Sequence, residues 1–115
     1  GAGLGVKIAL FGVSYLGGRG DTRHRPREHL MQLLWQQGVE TAIHDPFVSA
    51  HKGDVYECVK GADAVILMVK HSFYRSISLA QMASVMRLPI LIDGRGFFEP
   101  REVTSAGFIY QGIGR

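Results

Sequence analysis

The chain has 115 residues, with 13 Lys and Arg against 10 Asp and Glu for a formal charge of +3, which is room for one compact domain with one core. Apolar residues make up 46%, ordinary for a globular chain, and no apolar run approaches the ~18 residues needed to cross a bilayer, so a membrane span is excluded. The single cysteine, Cys58, excludes an internal disulfide and a cysteine-based zinc site; with no signal-peptide pattern ahead of the first apolar run, a reducing cytoplasm is expected. Glycine is abundant, at 15 residues without collagen-like period, and belongs in tight turns.

Residues Gly1 to Gly5 read as a linker or frayed start, and the absence of an initiating methionine suggests an excised segment. Val6 to Phe11 is almost wholly apolar, as in a strand buried on both faces, and Gly12 follows where the chain turns. Pro26 suits the first position of a helix whose Leu30, Met31, Leu33, Leu34 and Trp35 recur at spacings of three and four until Gly38. Glu40 to His44 predicts a short strand closed by Asp45-Pro46. Asp54 caps a helix that turns Val55, Cys58, Val59 and Ala62 to one side, and Ala64 to Val69 is a central strand without a polar side chain. Ser78 to Arg87 reads as a helix with Leu79, Met82, Ala83 and Met86 inward; Ile90 to Ile92 is a fourth strand. Pro100 opens a last helical turn or two ended by Gly107, and Phe108 to Gln111 is the closing strand. Strands alternating with helices predict an α/β fold, a Rossmann-like three-layer sandwich around a mainly parallel sheet of about five strands.

In such sheets ligands sit outside the carboxyl ends of the strands, where helix N-termini and loop amides converge. That rim holds residues 12–25 after the first strand, Asp45-Pro46 after the second, Lys70-His71 after the third and Asp93-Gly94-Arg95 after the fourth, with a cation in three of the four loops. Arg19, Arg23, His24, Arg25 and Arg27 crowd the entrance of a helix whose dipole is already positive, at ~0.3 to 1 kcal/mol for each unfavourable charge. An anion resolves the conflict, and the cluster with Arg95 reads as a phosphate or pyrophosphate site for which arginine's planar fork is suited.

Other signals carry less. GVSYLGGR from Gly12 to Arg19 is no P-loop, because arginine replaces the phosphate-binding lysine and no Ser or Thr follows. No G-x-G-x-x-G occurs, so this chain alone is not expected to bind NAD. Asp45 could hold a ribose hydroxyl, but Asp-Pro is first a turn. Cys58 falls on the apolar side of its helix as a core thiol, His44, His51 and His71 lack metal-ligand spacing, and the Arg19-Gly20-Asp21 tripeptide carries no weight in such a chain.

The same segments carry a resemblance. Gly12-Val13-Ser14-Tyr15 with Gly17, then Asp21-Thr22-Arg23 and Pro26, are similar to the motif G-V-A-Y-K-G-N-x-D-D-T-R-E-S-P; Asp45-Pro46, Gly61-Ala62-Asp63, Asp93-Gly94-Arg95, Gly107-Phe108 and the closing Gly112-Ile113-Gly114-Arg115 follow in order. Together they resemble the C-terminal domain of the UDP-glucose/GDP-mannose dehydrogenase family, most closely its UDP-N-acetylmannosamine or UDP-N-acetylglucosamine dehydrogenase branch. The resemblance covers nearly everything from Val6 to Arg115 and implies that residues 6–115 are a UDP-sugar-binding domain of a larger dehydrogenase. By position it implies that Tyr15, Leu16 and Arg95 meet the substrate, with Asp21 and Arg23 shaping the first loop, and that Gly12, Gly17, Asp45, Pro46, Asp93 and Gly94 form structural turns. The family's lysine is Leu16 here, the first Asp of its D-D pair is Gly20, and its E-S pair is His24-Arg25; Arg19 or Arg25 is expected to reach the pyrophosphate in the lysine's stead.

The family's reaction oxidises the sugar's C6 alcohol to a carboxylate with two NAD, through a thiohemiacetal on a cysteine. The resemblance assigns NAD and that cysteine to an N-terminal portion of the full-length enzyme, so this segment is expected to bind no cofactor and to be inactive alone. It also implies the remaining domains of the same polypeptide and a homo-oligomer when full length. A stand-alone non-catalytic nucleotide-binding or assembly module is the alternative. Nucleic-acid binding, suggested by a pI near 9.3, is weaker because the basic residues fall in one loop rather than along a face.

Overall fold

The computed structural model describes residues 5–12, 32–46 and 52–113. Five parallel strands form one sheet in the order β2-β1-β3-β4-β5, with β1 at Lys7–Phe11, β2 at Glu40–His44, β3 at Ala64–Leu67, β4 at Ile90–Asp93 and β5 at Ile109–Gly112. Helical residues 32–36 (α1) precede β2, α2 (Val55–Val59) precedes β3, α3 (Leu79–Val85) precedes β4, and α4 (Pro100–Ser105) precedes β5. This is the anticipated alternation, with strand and helix ends shifted by one to three residues; the helix start expected at Pro26, with Leu30 and Met31, lies outside the described residues.

Each element has a local cause. Gly38 at φ 77° ends α1 where a side chain would be strained. Asp54 accepts the Tyr56 N–H at 2.9 Å to start α2, and Ser78 Oγ accepts the Gln81 N–H at 3.2 Å to start α3. Pro100 opens α4, where the Glu102 carboxylate reaches back to accept the Glu99 N–H at 3.3 Å.

Alternation along the strands divides the sheet between two cores. Ala9, Phe11, Val65, Leu67 and Leu91 pack with Val55, Val59, Met82 and Val103, so α2, α3 and α4 share one side. The other side gathers Leu10 and Met68 with Ile8, Ile43, Ile66 and Leu34 of α1. Burying one such large apolar side chain stabilises the fold by about 1.5 to 3 kcal/mol.

Two expectations need correction. Leu33 and Trp35 were expected on the inward stripe, yet they are 45% and 54% exposed, because each lies about 100° around the helix from Leu34, the residue that meets the sheet. Trp35 instead lies across the edge strand and donates Nε1–H to Thr41 Oγ1 at 3.0 Å. The second is a 3₁₀ turn at Ser72–Arg75, not anticipated at all, between β3 and α3.

The amino edge of the sheet is stitched by Asp63, whose carboxylate accepts the Lys7 N–H at 2.9 Å and pairs with Arg87 beyond α3. The Lys7 hydrogen bond leads, with Arg87 second, in holding the Asp63 carboxyl below its usual value. Among the described residues, no helix is long and apolar enough to cross a membrane.

Candidate functional site

The carboxyl edge of the sheet is laced from one side to the other by main-chain bonds. Gly12 N donates to His44 O at 2.9 Å, Met68 N to Phe11 O at 2.9 Å, Gly94 N to Leu67 O at 3.0 Å, and Ile113 N to Asp93 O at 3.1 Å. The order 2-1-3-4-5 reverses direction between β1 and β3, and at such a switch point the loops on either side diverge and leave a crevice. Gly12 and Gly94 stand on opposite sides of the end of β3, two strand spacings or roughly 10 Å apart. Exposed Lys70 follows the same strand end.

Both glycines sit in close packing. Gly12 has φ 83°, and a Cβ there would overlap the side chain of Val69. A Cβ on Gly94 would lie 3.2 Å from the Leu67 carbonyl oxygen. Each glycine therefore lets the backbone at the end of its strand pass hard against the end of β3 or the residues just after it.

Asp93 shapes the second of these segments. It is fully buried; Oδ1 accepts the N–H groups of Arg95 at 3.0 Å and Phe97 at 3.1 Å, and Oδ2 accepts the N–H of Phe98 at 2.8 Å and the Tyr110 hydroxyl at 3.0 Å. Burial pushes the Asp93 carboxyl up, but the three amides and the phenol outweigh it and hold the group below its usual 3.8. Arg95 is thus carried, half-buried, on a loop wound around a carboxylate.

The side of the rim over β1 and β2 is filled by rings. Phe11 and Tyr74 stack with centroids 4.9 Å apart, and His44 stacks on Phe73 at 5.1 Å. The Tyr74 hydroxyl lies 2.9 Å from His44 Nδ1 and donates to the His44 carbonyl at 3.2 Å. Burial pulls the His44 imidazole below its ordinary 6.5, and burial likewise pushes the Tyr74 phenol up. Asp45 is fully buried just after the end of β2, and Pro46 follows it in a turn.

Of the residues predicted from sequence, the structure brings Gly12, Gly94 and Arg95 to one stretch of rim, and it places Asp93, Asp45 and Pro46 as turn-forming supports. Tyr15, Leu16, Gly17, Arg19, Asp21, Arg23 and Arg25 lie outside the described residues. Sequence reasoning missed Tyr110, Tyr74 and Arg75. Arg75 comes from the unanticipated 3₁₀ turn, lies 4.0 Å above the Phe97 ring, and donates to the Phe97 carbonyl at 2.5 Å and to Glu102 at 3.5 Å. Its signal was present in His71, whose Nδ1 accepts the Phe73 N–H at 3.0 Å and starts the turn. Cys58 is half-buried, and burial pushes its thiol up to about 11, which makes it a poor nucleophile. Among the described residues, no group of three His, Cys, Asp or Glu side chains could hold a metal ion.

Comparison with known proteins adds an independent line. Residues 9–100 match the UDP binding domain of the UDP-glucose/GDP-mannose dehydrogenase family. The chain is 32% identical over 127 aligned positions to the UDP-glucose 6-dehydrogenase of Pseudomonas aeruginosa, covering 96% of this chain and 28% of that protein. It is 33% identical over 108 positions to the UDP-N-acetyl-D-mannosamine dehydrogenase of Pyrococcus horikoshii, covering 94% of this chain and 25% of that one. The solved structure of the Pyrococcus horikoshii UDP-D-ManNAc dehydrogenase superposes with a TM-score of 0.76 over 96% of this chain and 26% of that one. An NDP-N-acetyl-D-galactosaminuronic acid dehydrogenase from Methanosarcina mazei Go1 does so at 0.77 and 33% identity, covering 96% of this chain and 25% of its own. The chain therefore spans about a quarter of the length of these relatives.

Proposed function

The chain belongs to the UDP-glucose/GDP-mannose dehydrogenase family, and from that premise we propose that residues 6–115 hold the nucleotide of a UDP-sugar for an NAD-dependent nucleotide-sugar 6-dehydrogenase. The whole protein would oxidise the C6 alcohol of a UDP-hexose, UDP-N-acetylmannosamine or a similar sugar, to its uronic acid. The relatives' names differ in the sugar and agree, for two of them, in the uridine diphosphate, so the shared domain is read as the part that grips the nucleotide.

One observation supports the reading most: Gly12 and Gly94, which in sequence immediately precede the arginine-rich segment and Arg95, flank the end of β3 beside the switch point. In this reading Arg95 pairs with the diphosphate through its planar fork. Tyr15 and Leu16 contact the nucleotide, Asp21 and Arg23 shape their loop, and Arg19 or Arg25 supplies the cation that Leu16 does not.

NAD, when bound elsewhere in the polypeptide, supplies the hydride acceptor. The residues of this chain do not fit a dinucleotide site, since Gly12 is followed by V-S-Y-L-G-G rather than the dinucleotide fingerprint, and the Cys58 thiol, held protonated by burial, does not fit a catalytic nucleophile. This chain's task is to bind and orient.

Calorimetric titration of the chain with UDP, UDP-N-acetylmannosamine, UDP-glucose and NAD tests the reading. Saturable binding of all three uridine ligands with no heat from NAD is expected. Binding of NAD in preference to UDP would contradict it.

A further inference from the structure

We propose that Tyr110 is a positioning residue for Arg95: its hydroxyl fixes the Asp93 carboxylate to the neighbouring strand, and through it the direction in which the Arg95 loop presents its guanidinium to a diphosphate. The inference rests on the reading of Arg95 as a nucleotide contact and adds to it a residue on a different strand.

The register makes the reach possible. Tyr110 on β5 stands opposite Leu91 on β4, and Asp93 lies two residues further along the same face of β4. The residue opposite Asp93 is Gly112, which has no side chain, so the phenol can run diagonally along the sheet to Oδ2 at 3.0 Å. The ring packs beside the core, while the hydroxyl answers the buried carboxylate.

The pattern of bonds gives Tyr110 its particular weight. Among the described residues the carboxylate accepts four hydrogen bonds, and three of them come from Arg95, Phe97 and Phe98 in the loop it organises. Those three let loop and carboxylate turn together as a unit about the Asp93 side-chain torsion. The fourth comes from another strand and holds the carboxylate itself against that rotation, while Arg75 on Phe97 and the burial of Phe98 hold the far end of the loop. Gly94 N, bonded to Leu67 O at 3.0 Å, fixes the start of the loop but not the heading of the residues beyond it. A hydrogen bond to a charged acceptor is among the stronger kinds, so its loss is felt by the group it steers.

A double-mutant cycle read by UDP calorimetry on the chain tests this, with Tyr110→Phe, Arg95→Ala and the double variant. Tyr110→Phe keeps the ring and removes one hydroxyl. It is expected to weaken UDP binding about fivefold in the native background and to change nothing in the Arg95→Ala background. In the same variant the Arg95 and Phe97 amides should exchange with solvent faster. Asp93→Asn should show the same dependence on Arg95.

The outcomes separate cleanly. If Arg95→Ala weakens UDP binding while Tyr110→Phe leaves both affinity and amide exchange unchanged, the positioning role is overturned and the reading of Arg95 stands. Equal losses from Tyr110→Phe in both backgrounds overturn it as well, since the hydroxyl then acts without Arg95. If Arg95→Ala itself leaves UDP binding unchanged, the reading of Arg95 fails first and the inference falls with it.

Discussion

Arg75 lays its guanidinium 4.0 Å above the ring of Phe97 and donates to the carbonyl of the same residue at 2.5 Å. One side chain thereby ties the segment after β3 to the loop that carries Arg95. The interaction is half-exposed, so its Coulombic part is screened, but the stacked ring and the carbonyl bond are geometric and survive salt.

Replacing Arg75 with alanine should destabilise the chain by about 1 to 2 kcal/mol, the sum expected for one exposed cation–π contact and one hydrogen bond. Arg75→Lys should recover less than half, because an ammonium cannot stack and donate in plane together. Urea denaturation of the three proteins, in low and high salt, measures both differences.

Gly12→Ala should cost about 3 kcal/mol or prevent folding, because it combines a left-handed backbone at φ 83° with a collision against Val69. Gly5 is the control: its φ is 72°, yet nothing lies within 4 Å of an added Cβ. Gly5→Ala should cost only the backbone term, about 1 to 2 kcal/mol. A comparison of the two denaturation midpoints separates steric overlap from backbone strain.

His44 predicts a pH dependence of defined sign. Burial lowers its folded value below 6.5, so between 6.5 and that folded value the unfolded chain binds more protons than the native one. The stability conferred by a neutral His44 is therefore complete above about pH 6.5 and declines as the pH falls through the window, by up to about 1.4 kcal/mol per unit. Denaturation at about pH 7.5 and about pH 5.5 should show the loss, and His44→Gln should reduce it.

Asp93 and Asp63 govern the acid limb. Both have folded values below 3.8, so the stability they confer is present above 3.8 and lost as the pH falls through the folded values. Asp93→Asn should flatten that limb while lowering stability at neutral pH, because an amide cannot accept four hydrogen bonds in place of the carboxylate. An acid titration followed by near-ultraviolet circular dichroism reads the change.

The sheet was legible because its strands announce themselves: after Lys7 β1 is wholly apolar and β3 is apolar throughout, as burial on two faces demands, and Gly12, Gly38 and Gly107 punctuate the strands and helices where positive φ is needed. Asp93 was legible as a turn, but not as the hub of four hydrogen bonds. Its amide partners are main-chain groups with no signature in residue type, and Tyr110 is distant in sequence and adjacent only through strand register. The 3₁₀ turn escaped for a related reason. Four residues carry neither a period of two nor of 3.6, and Tyr74 is fully buried only because Phe11 and His44 from other strands meet it there. The outward placement of Leu33 and Trp35 shows that a stripe of apolar residues overstates the face a helix buries, since of Leu33, Leu34 and Trp35 only Leu34 meets the sheet.

The UDP affinity of the native chain set against that of Arg95→Ala, at fixed ionic strength, bears most directly on the idea that the carboxyl rim grips a nucleoside diphosphate. The account predicts saturable UDP binding that falls by about tenfold or more in the variant, consistent with loss of a charge-assisted pair. Native and variant chains with the same affinity, or a native chain that UDP does not saturate, would contradict it.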